Sequence, residues 1–251
     1  MFSLFRKQPK RWRTPGGKVF ALYNDLADET HLLVAGETGC GKSTVINGII
    51  FNMLHDSPGK VQFVMIDPKR TELIDYKDLP HVLTYAYRNE DIIKALQQTV
   101  NVMERRLDEM QKRRLKLYDG PRLVVVIDEL ADLMVTMKKH AAPLLQRILQ
   151  LGRAANIMVI AGTQVVNAKV ISTEIRVNFT AIIGMRTATA AQSRLMVGKA
   201  GCELFPEPIT EHRALGYYRH GCACELYEIP RYTDEQYNIL LNWWTSRACV
   251  A

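Results

Sequence analysis

The sequence predicts an α/β fold: a mainly parallel central sheet, helices on both of its faces, and a hairpin at the sheet edge near the C-terminus. Three observations predict it. Short apolar runs at 32–35, 61–66, 123–127 and 157–161 are separated by helical patterns, the alternation that builds a parallel sheet. Leu123-Val-Val-Val-Ile127 is apolar without interruption, as in a strand covered on both faces. The first run passes directly into a glycine-rich loop and then a helix.

In chain order, Val19–Asn24 reads as a short strand and Asp25–Thr30 as an acidic turn. Next come the strand Leu32–Ala35 and the loop Gly36, Glu37, Thr38, Gly39, Cys40, Gly41, Lys42, Ser43 and Thr44, which fits G-x-x-x-x-G-K-S. That spacing has a chemistry. Glycines let successive backbone N–H groups turn inward around the β- and γ-phosphates of a nucleotide, and the following helix N-terminus directs its partial positive charge at the same anions. Lys42 supplies a mobile full charge, and the Ser43 hydroxyl is a ligand for Mg²⁺. The helix carries Val45, Ile46, Ile49, Ile50, Met53 and Leu54 on one face and stops at Asp56-Ser-Pro-Gly59. Strand, loop and amphipathic helix together predict a nucleoside-triphosphate site.

A second strand, Val61–Ile66, ends at Asp67-Pro68. Residues 71–88 read as short helices and loops around Pro80-His81. A long helix from Glu90 to about Tyr118 is apolar at Ile92, Ile93, Leu96, Val100, Met103, Leu107 and Met110, with Glu104-Arg-Arg106 on a charged, solvated face. After Leu123–Ile127, a helix from Leu130 runs toward Arg153, broken at Pro143. Ile157–Ala161 leads into Gly162-Thr-Gln164. Val177–Met185 reads as a strand and Thr189–Val197 as a short helix. Ala214–Arg219 and Cys222–Ile229 form a hairpin through His220-Gly221, and Thr233–Ala248 is the last helix.

The strand ending in Asp128-Glu129 supplies the second half of the site, because open α/β sheets put their chemistry beyond the strands' C-terminal ends. Asp128 is expected in the Mg²⁺ shell, and Glu129 beside it to polarise the water that attacks the γ-phosphate. Gln164, at the tip of the next strand, either senses the γ-phosphate and orients that water or serves as a capping amide.

The chain resembles the motor domain of the FtsK/SpoIIIE family of double-stranded DNA translocases, within the FtsK–HerA group of P-loop ATPases. The residues that carry the likeness are His31-Leu-Leu-Val-Ala-Gly36 through Lys42-Ser43, Phe63-Val-Met-Ile-Asp-Pro-Lys69, Glu72-Leu73, Pro80-His81-Val-Leu-Thr84 and Met103-Glu-Arg-Arg106. Further along are Val125-Val-Ile-Asp-Glu-Leu-Ala-Asp-Leu-Met134, Arg153-Ala-Ala155, Thr163-Gln164 and, less tightly, Gln192-Ser-Arg194. The resemblance implies a RecA-like core with a third strand between the P-loop strand and the strand of Asp128. It implies ATP with Mg²⁺, double-stranded DNA as partner, and homo-hexameric rings in which Arg153 reaches the neighbouring subunit's γ-phosphate. It implies too that the segment after Gln164 faces the DNA. There Val165 replaces the family's basic residue, and Lys169 and Arg176 carry the positive charge instead.

The resulting division is a basic arm over 1–18, a RecA-like ATPase domain over 19–232, and a C-terminal helix over 233–251 packed on it or extending it. At 251 residues there is room for none of the family's usual accessory domains, which makes a minimal stand-alone motor the expectation, suited to a plasmid, phage or conjugative element. Of the net charge of +7, the arm's Arg6, Lys7, Lys10, Arg11, Arg13 and Lys18 supply six, unopposed by any acid. Such an arm is either a solvated terminus or a weak contact to DNA or an anionic membrane. No apolar run is long enough to span a bilayer and no signal peptide is present, so a cytoplasmic protein with reduced thiols is expected. Cys202, His212, His220, Cys222 and Cys224 fit no common zinc spacing; Cys222 and Cys224 are placed on one face of a strand. Cys40, at a helix N-terminus, is expected to have a lowered pKa. Two further readings stay open: a conjugation or secretion ATPase with a protein or nucleoprotein cargo, and a non-motor ATP-dependent assembly switch.

Overall fold

A computed structural model describes residues 12–13, 19–20, 31–56, 58–164, 167, 170–206, 213–230 and 234–248. Its strands are β1 (Trp12–Arg13), β2 (Val19–Phe20), β3 (His31–Ala35), β4 (Val61–Ile66), β5 (Val82–Ala86), β6 (Arg122–Ile127), β7 (Ile157–Thr163), β8 (Ala181–Gly184), β9 (Arg213–His220) and β10 (Ala223–Pro230). The helices are α1 (Lys42–Asp56), α2 (Asn89–Arg113), α3 (Leu130–Thr136), α4 (Lys138–Leu151), α5 (Thr173–Arg176), α6 (Ala190–Val197) and α7 (Asp234–Ala248). The strands form one sheet in the order β2-β1-β10-β9-β8-β3-β7-β6-β4-β5. The six from β8 to β5 are parallel, and β9, β10, β1 and β2 continue the sheet antiparallel. This is an α/β RecA-like fold with β7 between the P-loop strand β3 and the Asp128 strand β6.

The period-2 alternation of each strand divides the core between the two faces. From β3, Leu33 and Ala35 join the α2, α3 and α4 layer, whereas Leu32 and Val34 join the α1 layer. All six apolar residues read on α1 are buried there. Each such aliphatic side chain contributes about 1.5–3 kcal/mol. The last helix lies on the same side: Leu241 is buried in that layer, Tyr237 meets Phe51 edge-on, and Trp244 meets His81.

Several elements differ from the sequence reading. Residues 82–86 form strand β5, pairing with β4 at the sheet's edge. An edge strand is covered on one side only, and only Ala86 of the five is buried, so no apolar run announces it. Helix α2 ends at Arg113, because Arg114 adopts a left-handed conformation (φ 57°). Its Arg106 is buried, not solvated. The break after Leu130 falls at Met137 (φ −137°), whose carbonyl accepts from His140 and Ala141 to start α4. Pro143 sits inside α4 without interrupting it, on an exposed face where the carbonyl it leaves unpaired can meet water. The strand read at Val177–Met185 shortens to Ala181–Gly184, and Cys222 stands in the hairpin turn, off the strand of Cys224. Of the first predicted strand, Val19–Phe20 is strand β2, and residues 21–24 lie outside the described residues. The acidic turn, most of the basic arm and His212 lie outside the described residues. No described helix is long and apolar enough to cross a membrane.

His31, at the start of β3, is 1% exposed, and its Nδ1 accepts the Val159 amide at 3.1 Å. Burial lowers its pKa to about 3, with the Leu149 carbonyl pulling weakly the other way. The folded protein therefore refuses a proton that the unfolded chain takes up below its ordinary pKa of 6.5. Stability from this residue is complete above that pH and falls as pH drops, by at most about 1.4 kcal/mol per pH unit. Urea unfolding at pH 7 and pH 5 is expected to show that loss, and His31→Gln to flatten it. An equal pH dependence in the variant would refute the assignment.

Candidate nucleotide site

Parallel register builds the site. Ala35 pairs with Thr163 on one side and with Gly184 on the other, Ile127 pairs with Ala161, and Ile66 pairs with Ile127. The residues just beyond these partners therefore stand in a row past the strands' C-terminal ends: Arg186, the P-loop, Gln164, Asp128-Glu129 and Asp67.

Gly39 (φ 75°) and Gly41 (φ 96°) take the left-handed conformations that close the loop. Among the described residues, the amides of Gly39 and of Gly41 through Thr44 find no backbone acceptor, which leaves a cluster of donors at the start of α1. Lys42 Nζ donates to the carbonyls of Gly36 and Glu37, both at 2.9 Å, so the free charge already sits inside the loop. This arrangement fits the phosphates of a nucleotide. Cys40 departs from expectation: burial pushes its thiol up, outweighing the opposite pull of Lys42.

Asp128 is packed so closely that a Cβ on Gly162 would run into its carbonyl oxygen. Burial, then the carboxylates of Asp67, Glu72 and Glu129, push Asp128 up to about 6, with Lys69 opposing. A divalent cation would relieve that crowding, and Asp128 with Ser43 are the residues that would hold it. Asp67, fully buried, is committed to its own turn, accepting from the amides of Arg70, Glu72 and Leu73 and from Tyr85 Oη.

Glu129 is 3% exposed, and its carboxylate caps α3 through the Ala131 amide at 3.3 Å. It also accepts the Gln164 amide, at 3.1 Å on Oε1 and 3.2 Å on Oε2. The Gln164 side chain in turn accepts from Thr38 Oγ1 at 2.8 Å. The loop tip, Gln164 and Glu129 thus form one chain of contacts.

Other predicted residues are not gathered here. Arg153 is exposed in the turn between α4 and β7, at the N-terminal end of β7. The seven residues of β7 separate that turn from the P-loop end by roughly 20 Å, so Arg153 cannot serve its own subunit's site. Arg176 ends α5 half-buried, with Nη1 enclosed and without a hydrogen-bond partner among the described residues. Lys169 and Val165 lie outside the described residues.

The sequence reading missed Arg186. Its Nε lies 2.5 Å from Glu37 Oε1, and its carbonyl accepts the Glu37 amide at 2.9 Å. No motif announces this pair; only the β3–β8 register brings it together. Glu37 places a carboxylate on a loop built for anions, and the Arg186 guanidinium offsets it. Arg186→Ala is expected to weaken ATP binding by about tenfold, and Glu37→Gln in the same chain to restore most of it. Titration with a fluorescent nucleotide checks this; unchanged affinity in Arg186→Ala would refute it.

Residues 16–120 match the sequence model described as the FtsK/SpoIIIE family. The chain is 37% identical over 194 residues to the DNA translocase FtsK of Helicobacter pylori strain J99, an alignment covering 71% of this chain and 23% of that protein. With the DNA translocase FtsK of Staphylococcus aureus strain Mu50 it shares 38% over 199 residues, 71% of this chain and 25% of the relative. The chain thus spans about a quarter of the length of these relatives. Among solved structures it is similar to the pCW3 conjugation coupling protein TcpA, with a TM-score of 0.73, 23% identity, and 94% of this chain and 71% of the other covered. The cytoplasmic domain of the Thermomonospora curvata Type VII secretion ATPase EccC gives a TM-score of 0.74 at 20% identity, covering 96% of this chain and 32% of the other. At these identities the two structures speak for the fold.

Proposed function

Because residues 16–120 match the FtsK/SpoIIIE family model and 71% of the chain aligns with FtsK translocases at 37–38% identity, we propose that it is an ATPase of that family that moves double-stranded DNA, working as a cytoplasmic homo-oligomeric, hexameric ring. The observation that carries this reading is the row of P-loop, Gln164 and Asp128-Glu129 beyond the parallel strands. The free amides of the loop and α1 take the phosphate oxygens, and Lys42 turns from its two carbonyls to the β- and γ-phosphates. Ser43 and Asp128 would hold Mg²⁺, which would neutralise charge on the phosphate oxygens. Glu129 keeps its orientation from the Ala131 and Gln164 amides and offers a remaining lone pair to the proton of the attacking water. Gln164, bonded at once to the loop tip and to Glu129, senses the γ-phosphate or orients the attacking water. Arg153, exposed and far from its own pocket, acts on the next subunit's γ-phosphate.

The experiment is ATP turnover with and without linear duplex DNA over a range of salt. Stimulation by duplex that fades as salt rises is expected, since contacts to phosphates release counterions. A conjugation or secretion ATPase with a protein cargo is the second reading, favoured by Val165 where the family has a basic residue. Turnover indifferent to DNA at every salt concentration would decide for it.

A further inference from the structure

We infer that Arg106, buried in α2, is a positioning residue that holds the turn bearing Arg153 in the shape needed to reach a neighbouring subunit; this rests on the reading of Arg153 as a finger supplied in trans. The turn Gly152–Asn156 is braced from three sides. Arg106 Nη1 donates to the carbonyls of Ala155 at 2.9 Å and Asn156 at 3.2 Å. The Arg106 guanidinium lies over the Tyr118 ring, 4.5 Å from its centroid, and the Tyr118 amide donates to the Ala154 carbonyl at 2.8 Å. Asn156, left-handed at φ 52°, donates from Nδ2 to the Gly120 carbonyl and accepts from Arg122 Nε, both at 2.9 Å.

What these contacts surround is informative. The backbone of Ala154, Ala155 and Asn156 is pinned, while the Arg153 side chain projects outward with no ion pair among the described residues. Arg106 itself is 7% exposed, and no carboxylate pairs with it among the described residues. A guanidinium buried against two carbonyls and one ring is a costly way to pack a helix, because an apolar side chain would fill the same volume without desolvating a charge. Its distinctive property is a planar set of donors able to hold two successive carbonyls at once. That is what a finger needs behind it: an arginine reaching across an interface must be presented within a fraction of an ångström, and a loose turn spreads it over many positions.

The test uses the full chain in mixed assemblies. Arg106→Met is expected to bind ATP within about twofold of the parent and to lose at least tenfold in turnover at saturating ATP. Mixed with Lys42→Ala, whose finger is intact, it should regain turnover, because its own P-loop is sound. Mixed with Arg153→Ala it should not, because neither partner then presents a working finger. Asn156→Gly, which tolerates φ 52° but loses both side-chain bonds, should show the same directional pattern and stands in if Arg106→Met fails to fold. Rescue of Arg153→Ala by either variant, or parental turnover in both, would overturn the inference. The control is Lys42→Ala mixed with Arg153→Ala. If that pair fails to regain turnover although mixed assemblies form, the trans reading falls and the role of Arg106 with it; if it succeeds, the outcome concerns Arg106 alone.

Discussion

Glu129→Gln is expected to bind ATP as tightly as the parent chain and to hydrolyse it slower by a factor on the order of a hundred or more. The geometry explains why the two steps separate. Glu129 Oε1 accepts both the Ala131 and Gln164 amides, and Oε2 takes only a second, longer share of Gln164. A glutamine with its oxygen at the Oε1 position keeps the α3 cap and the link to Gln164, and places its NH₂ where Oε2 was. The pocket is undisturbed, since the groups proposed to hold nucleotide and metal lie on Lys42, Ser43, Asp128 and the loop amides. What disappears is the basic oxygen proposed to take a proton from water, and an amide cannot replace it. Equilibrium titration with a fluorescent nucleotide and steady-state phosphate release measure the two quantities separately. Turnover within about threefold of the parent would show that Glu129 is a structural cap and that the base lies elsewhere.

Lys42→Ala and Arg153→Ala are each expected to be nearly inactive alone, and mixing them to restore part of the turnover. Lys42→Ala loses the mobile cation of the P-loop, so its own site is expected no longer to hold the phosphates. Arg153→Ala is expected to keep a complete pocket, to bind ATP normally and to hydrolyse it slowly at any concentration, its missing charge being the one proposed to come from a neighbour. At a mixed interface the sound P-loop of one variant meets the sound finger of the other. Random mixing creates such an interface at about a quarter of positions, which bounds the recovery expected. The parent chain should also gain specific activity with protein concentration as assemblies form. A mixture as inactive as its parts, despite co-assembly measured by mass, would refute the trans assignment. Recovery would tie the activity to an oligomer by a route independent of any DNA measurement.

The sequence by itself determined the features in which local chemistry and tertiary fold agree. The glycine spacing from Gly36 to Ser43 has few uses other than a phosphate loop, the apolar stripe from Val45 to Leu54 faces the core as read, and β4, β6 and β7 are buried runs that can only be inner strands. That a third strand separates β3 from β6 followed from family resemblance, and in the structure that strand is β7. Tertiary structure alone decided the rest. The half-exposed strand Val82–Ala86 exists because β4 offers it an edge, and the helix breaks at Met137 because helical propensity cannot see how α3 and α4 must pack. Arg106 reads as one more charge on a solvated face until the turn before β7 is folded against it. Arg186 meets Glu37, and Gln164 meets Glu129, through registers between strands distant in the chain. A residue's type and spacing report the backbone conformation it favours. Which carbonyl, carboxylate or guanidinium lies opposite it depends on pairing with segments 35 to 149 positions away, and that information enters only when the sheet closes.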